Sequence, residues 1–364
     1  MSTFGFLLHP LSARDVGRKY AITRRFPDSW VEAILHLMSP QYISHITGIR
    51  SATGQEIDGH FGGVPLTSRQ LSAYPPEKCY PKIIETGKLV AEHGAKIIGL
   101  GAHTAVVGDA GHTVAEGLDV PVTTGNTYTV ATAVEGAVKA AGVMGTDIAS
   151  AEAAVLGAGG SIGRVCSLLL APQVSVLRLG DRDEARLEAL APEVKAEGCP
   201  EVTVHTDIPS AVRGADVVIA VTSAVHAVVE ADMLKPGAVV CDVARPRDVS
   251  RQVAQERPDV LVIEGGAVAV PGDVEFGFDF GFPPKTAYAC MAETMILTLE
   301  GRLESYSLGR GIEVEKTREI AALAARQGFA LAGFRSFERQ LSDEDIARTR
   351  EAAKMATRGA RVAR

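Results

Sequence analysis

Aromatic side chains are scarce in this 364-residue chain, at 5% of all residues with a single tryptophan. Binding of single-stranded nucleic acid leans on several stacking rings, so that function has little to stand on. The charge balance also points away from a polyanion partner, since the formal net charge is −7. The five cysteines, Cys79, Cys166, Cys199, Cys241 and Cys290, are odd in number and show no CxxC or Cys/His spacing. That pattern excludes a disulfide framework and a structural zinc site, and no metal centre is expected. The longest apolar stretch, Val217 to Val229, is interrupted by Thr222, Ser223 and His226. It falls short of the roughly 20 residues that cross a bilayer. The opening MSTFGFLLHPLSARD has an apolar patch but no basic segment before it and no cleavage-type ending, so it does not read as a signal peptide. These absences predict a cytoplasmic protein of a reducing compartment with no transmembrane segment.

What is present is the composition of a globular protein: 46% hydrophobic, 22% charged, with 37 glycines. The length predicts two or three domains, and the patterning divides the chain into three. Residues 1–148 mix buried strand ends (KIIGLGA, GLDVPVTT) with the helical spacing of KCYPKIIETGKLVAEHGA and NTYTVATAVEGAVKAAGVMG, and read as an N-terminal α/β substrate domain. Residues 149–282 alternate strand and helix. AEAAVLG, VSVLRLG, EVTVHT, ADVVIAVTS, GAVVCDV and DVLVIEGG are continuous Val/Ile/Leu runs rather than alternating ones. Such strands are covered on both faces, which predicts a doubly wound parallel sheet of Rossmann type. Residues 283–364 are helical and end in a charged tail.

The most specific local motif is VLGAGGSIGRV. Gly157, Gly160 and Gly163 meet three needs of a dinucleotide loop: a tight turn after the first strand, close approach to pyrophosphate, and close helix-to-strand packing. Ser161 and Ile162 open the helix whose N–H groups would face the phosphates. At the end of the second strand stands Asp181 followed by Arg182. An acid there takes the ribose 2′-hydroxyl of NAD and an arginine accommodates the phosphate of NADP, so the pair leaves both cofactors open. Thr222 and Ser223 end the fourth strand on the ligand-binding edge of the sheet.

Among the cysteines, Cys166 and Cys241 lie in apolar helix and strand patterns and read as core, while Cys79 and Cys199 read as loop residues near prolines. Cys290 stands at an early position of a helix, among Ala287, Ala289 and Ala292. Small neighbours leave room around its sulfur, and the helix start, aided by Lys285, would favour the thiolate. The common alternative is a buried small hydrophobe.

The chain resembles the long-chain acyl-[acyl-carrier-protein] reductases of the cyanobacterial, fatty-aldehyde-forming type. The resemblance rests on HPLSARDVGRKY, RSATGQEIDGHF, VTTGNTYT, GAGGSIG, IEGGAV, AYACMAETMILTLEG and SYSLGRGIEVEKTREIAALAARQGF, and covers about residues 5 to 330. It implies reduction of fatty acyl-carrier-protein or acyl-CoA thioesters to aldehydes with NADPH, through an acyl-enzyme on Cys290. Asp181 before Arg182 departs from the family's arginine after a small residue and keeps NADH in play. The charged tail beyond about residue 335 runs past typical members. The resemblance also makes acyl carrier protein or acyl-CoA the substrate carrier and an aldehyde-consuming enzyme a further partner.

Within that reading the TTGN turn (Thr124, Gly125, Asn126) supplies donors for a developing oxyanion beside a cleft between the domains. Lys285, Tyr288 and His103 are the candidate general acids. An apolar tunnel for the acyl chain is expected between the N-terminal part and the C-terminal helices. The cations Arg14, Arg18, Lys19, Arg24 and Arg25 would form a docking patch for an acidic carrier. The rival reading is a shikimate-dehydrogenase-like or amino-acid-dehydrogenase-like enzyme that passes hydride directly to a small carbonyl or imine. GNTYT resembles that group's G-x-N-T-D segment, but Tyr128 stands where the acid belongs.

Overall fold

The computed structural model describes residues 2–362 apart from Ser223, Val225, Arg245, Pro246 and Glu338, and leaves aside the side chains of residues 360–362. The chain forms two compact units. One comprises residues 1–128, 268–312 and 319–330; the other 129–267, 313–318 and 331–364. The boundaries read from patterning at 148/149 and 282/283 therefore fall inside units, and residues 283–364 are shared out rather than forming a third body. Patterning registers local periodicity, whereas the units follow from where each segment packs.

The first unit is built on a six-stranded mixed sheet in the order Gly272–Glu275, Gln41–Arg50, Glu56–Gly63, Ser2–Leu8, Ile98–Leu100, Val122–Thr123. The apolar N-terminal patch is an inner strand of this sheet, parallel to both Glu56–Gly63 and Ile98–Leu100. Bulk is matched across the pair, with Phe4 opposite Gly59 and Phe6 opposite Phe61. The helix Pro76–Glu92 starts at a proline pair and turns Cys79, Ile83, Thr86 and Val90 inward. Cys79 is thus a helical core residue and not a loop residue. The helix Ala289–Leu299 is buried along its whole length except at Cys290, and it packs on the strands Ser2–Leu8 and Ile98–Leu100. Its apolar residues face every side, as a core helix requires, and its one charged residue, Glu293, is buried with them.

The second unit holds a six-stranded, wholly parallel sheet in the order Leu261–Glu264, Val239–Asp242, Val217–Ala220, Glu152–Leu156, Val176–Gly180, Glu201–His205. This is the doubly wound dinucleotide-binding order, with its switch point between the first strand, Glu152–Leu156, and the fourth, Val217–Ala220. Every residue of Val217–Ala220 and Val239–Asp242 is buried, as continuous apolar runs require. In the helix Asn126–Met144, Val130, Ala133, Val134, Ala137 and Ala141 are buried, and Gly145 follows it at φ 89°. The C-terminal helix Asp343–Val362 is largely exposed. No helix among the described residues is long and apolar enough to cross a membrane.

Candidate functional site

The glycine loop joins the strand Glu152–Leu156 to the helix Ser161–Leu170, in the second unit. Gly157 takes φ 79°, and a β-carbon there would sit 2.8 Å from the Val221 carbonyl oxygen. At Gly163 a β-carbon would overlap the Gly157 carbonyl, so helix and turn touch backbone to backbone. Gly160 caps the helix, and Ser161 and Ile162 form its first turn. The loop therefore offers open backbone and a helix N-terminus where a pyrophosphate binds, and the residues fit a dinucleotide. Asp181 stands beside this loop, its Oδ2 accepting from the Gly159 N–H at 3.2 Å, while Arg182 is exposed. Asp183 caps the next helix by accepting from the Arg186 N–H at 3.2 Å.

Thr222 lies at the same edge, but its groups are engaged: its N–H donates to Asp248 at 2.8 Å and its hydroxyl at 2.5 Å. Burial pushes the Asp248 carboxyl up, against the pull of those two bonds. Thr222 thereby ties the fourth strand to the Asp248 loop. Ser223 lies outside the described residues.

In the first unit Cys290 is the second residue of the helix Ala289–Leu299, and Tyr288 is its N-cap. Of the five cysteines it alone is partly accessible; the other four are buried. The thiol is nevertheless pushed up to about 12, because desolvation outweighs hydrogen bonds from the backbone of Ala102, Met291 and Cys290 itself. The thiolate expected from the helix start is thus not the resting state. Lys285 does not help, since its ammonium is bound to Asp273 at 2.7 Å. Against Cys290 lies Gly125 at φ 74°, where a β-carbon would overlap Cα and Cβ of the cysteine.

The loop carrying Gly125 is fixed by a buried carboxylate that the sequence reading passed over. Glu293, one turn after Cys290, is fully buried. Its Oε1 accepts from the hydroxyls of Thr123 at 2.5 Å and Ser307 at 2.7 Å. Its Oε2 accepts from the Thr127 hydroxyl and from the Tyr128 N–H at 2.9 Å. Ser307 also accepts from the Gly125 N–H at 3.0 Å, and Thr124 donates to the Ser307 carbonyl. A buried charge is tolerable only when so surrounded. The consequence for TTGN is specific: Thr124 and the Gly125 N–H are consumed inside the network. Asn126, partly accessible, remains the residue of that turn able to offer a side-chain donor.

On another side of Cys290 lies Ala102, which holds φ 48°, a left-handed backbone rare outside glycine. The turn is pinned by the next residue, whose N–H donates to His9 Nε2 at 3.1 Å. His9 Nδ1 lies 3.1 Å from the Pro10 carbonyl, and burial lowers this imidazole to about 4. His103 is lowered by burial too, and its own Nδ1 has no hydrogen-bond partner among the described residues. It lines a cleft of about 310 Å³ with Leu71, Tyr74, Val106 and Val107. Beyond the helix start, the rings of Phe276, Phe280, Phe282 and Tyr288 form a chain, with successive centroids 5.0, 5.7 and 4.2 Å apart. Tyr288 is thus both N-cap and part of an apolar, partly accessible surface.

Glu293 had one legible signal, as the lone charge in the apolar run from Tyr288 to Leu299. Ser307, Ala102 and His9 had none, since each joins the site across long sequence separations.

Comparison with known proteins finds oxidoreductases among the chains to which this one is similar. The family described as shikimate / quinate 5-dehydrogenase matches residues 139–264. The chain is 31% identical to the aminotransferase PigE of a Serratia species over 304 residues, 82% of this chain but 35% of that protein, so it spans about a third of that relative's length. It is 29% identical over 348 residues to the long-chain acyl-[acyl-carrier-protein] reductase of Synechococcus elongatus, covering 90% of this chain and 98% of that one. Among solved structures, quinate dehydrogenase from Corynebacterium glutamicum in complex with NAD aligns over 88% of this chain and 98% of its own, at 14% identity and a TM-score of 0.36.

Proposed function

We propose that the protein is a nicotinamide-dependent reductase that converts long-chain fatty acyl thioesters, carried on acyl carrier protein or CoA, to fatty aldehydes through an acyl-Cys290 intermediate. The observation that carries this reading is the setting of Cys290: the partly accessible cysteine, at a helix start, against a glycine that leaves room for nothing larger. The similarity to the cyanobacterial reductase along nearly its full length supports the same assignment.

In the first step the Cys290 sulfur forms a bond to the acyl carbon and the carrier sulfur departs with the thiol proton. The raised thiol requires that proton to move as the bond forms. Asn126 and the Ala102 backbone N–H are the donors available to the developing oxyanion. His103, neutral and with an unpartnered nitrogen, is a candidate to relay the proton. The aromatic surface of Phe280, Phe282 and Tyr288 is where the acyl chain lies. Gly157, Gly160 and Gly163 would hold the nicotinamide dinucleotide, whose chemistry would be to supply the hydride. Collapse of the resulting hemithioacetal breaks the C–S bond, frees the aldehyde and leaves the Cys290 thiolate, which takes up one proton to regenerate the thiol. NADPH and NADH both remain candidates, given Asp181 and Arg182. The reactive product calls for an aldehyde-consuming enzyme downstream.

Intact-mass analysis after mixing the protein with palmitoyl-acyl carrier protein and no nicotinamide tests the reading. The expected result is the addition of one palmitoyl group on Cys290, discharged as aldehyde when NADPH is added. Absence of an adduct, with Cys290→Ala fully active on a small carbonyl, would replace it by direct hydride transfer, the reading that the shikimate / quinate match favours.

A further inference from the structure

The helix Asp28–Leu37 is apolar on two faces. Val31 and Leu35 turn inward onto Ala13 and Val16, forming a small satellite core. An adjacent face carries Trp30, Ile34 and Leu37, exposed by 62%, 53% and 83%. Ile22 and Phe26, in the segment that leads into this helix, are exposed as well, and the Phe26 and Trp30 rings stack with centroids 6.5 Å apart. Single exposed apolar residues are ordinary, but contiguous ones are not. Of the ten large apolar side chains exposed among the described residues, six fall within residues 11–37.

The charges beside this row are also distinctive. Arg18 is drawn to Asp15 and Asp279, and the Lys19 ammonium donates to the Tyr42 carbonyl at 2.7 Å. Arg14, Arg24 and Arg25 are exposed and have no ion pair among the described residues. Of the acids nearby, Glu32 is held by Arg69 and Asp28 stands exposed at the helix start. The segment thus joins an apolar row containing a tryptophan to three unpaired guanidinium groups.

We propose that this face docks on the surface of an anionic lipid bilayer. A helix lying in the interface buries an apolar face to the depth of the acyl boundary, with cations at the headgroups and tryptophan at the level between them. A fluid interface needs no shape complementarity from the outward face of a single short helix. A purely acidic protein partner would use the three arginines and leave the five apolar side chains unsatisfied. The inference is independent of the reaction proposed above, and its test reads lipid binding rather than turnover.

Trp30 is the chain's one tryptophan, so its emission reports this face alone. Titrating the full chain with vesicles of phosphatidylcholine and phosphatidylglycerol should shift the emission to the blue and raise its intensity. Pure phosphatidylcholine should do so far less, and salt should reverse the effect. Replacing Arg24 and Arg25 by Gln should weaken partitioning about thirtyfold, at the usual contribution of a cation near an anionic surface. Leu37→Asp changes a side chain outside any core and should weaken it comparably. Unchanged emission with anionic vesicles would overturn the proposal. A shift produced by acyl carrier protein but not by lipid would assign the face to a protein partner instead. A concentration-dependent shift without lipid, tracking a doubled mass, would assign it to a second copy.

Discussion

Gly125 and Cys290 are packed so closely that a β-carbon on the glycine would lie 2.2 Å from both Cα and Cβ of the cysteine. The glycine also sits at φ 74°, where any other residue is strained. Gly125→Ala should therefore destabilise the first unit by about 2–4 kcal/mol, and it should displace the thiol. Denaturant unfolding measures the first effect, and the alkylation rate of Cys290 in the folded variant measures the second. An unchanged rate and midpoint would show that the loop yields freely.

Glu293 holds that loop from beneath. Glu293→Ala would take an acceptor away from three hydroxyls and the Tyr128 N–H in a dry site, at a cost of about 2–4 kcal/mol. Glu293→Gln keeps one acceptor but presents an amide donor to groups that are themselves donors, so about 1–3 kcal/mol is expected. If Glu293 acts only by positioning, the Gln variant should acylate Cys290 more slowly while its pH dependence keeps the wild-type shape. Urea denaturation and single-turnover acylation separate the two effects.

Burial has raised the Cys290 thiol to about 12, so in the free protein the reactive thiolate is a very small fraction at neutral pH. Its alkylation by iodoacetamide, mapped by peptide mass spectrometry, should be slow at pH 7 and rise about tenfold per pH unit towards pH 10. The direction follows from the sign: raising the pH removes the proton that burial favours. A rate already level at pH 7 would show that the helix-end donors outweigh desolvation.

On the proposed function, Asp181 and Arg182 would pull cofactor choice in opposite directions. Asp181→Asn keeps an acceptor for the Gly159 N–H while removing the charge, and should move the NADPH-to-NADH affinity ratio towards NADPH by about tenfold. Arg182→Ala should move it the other way. Fluorescence titration with each nucleotide gives both ratios, and no movement in either variant would place the discriminating group elsewhere.

The second unit was the legible part of this molecule. Its strands are continuous Val/Ile/Leu runs because both faces are covered. Its loop needs glycine because backbone meets backbone at Gly157 and Gly163. Those are local constraints, and local constraints leave a mark on local sequence. AYACMAETM likewise marked a helix start with small residues around a cysteine.

The rest was decided by packing. That Thr222 spends its hydroxyl on Asp248, that Thr124 spends its own on Ser307, and that Lys285 pairs with Asp273 depends on partners brought together from distant positions. The protonation of Cys290 depends on how many atoms exclude water from it, which no helix position specifies. So the sequence alone determined the doubly wound sheet, its glycine loop and the helix start that carries Cys290. The tertiary structure decided which of the nearby polar groups are already spent, because a hydrogen bond is satisfied by proximity in space and not along the chain.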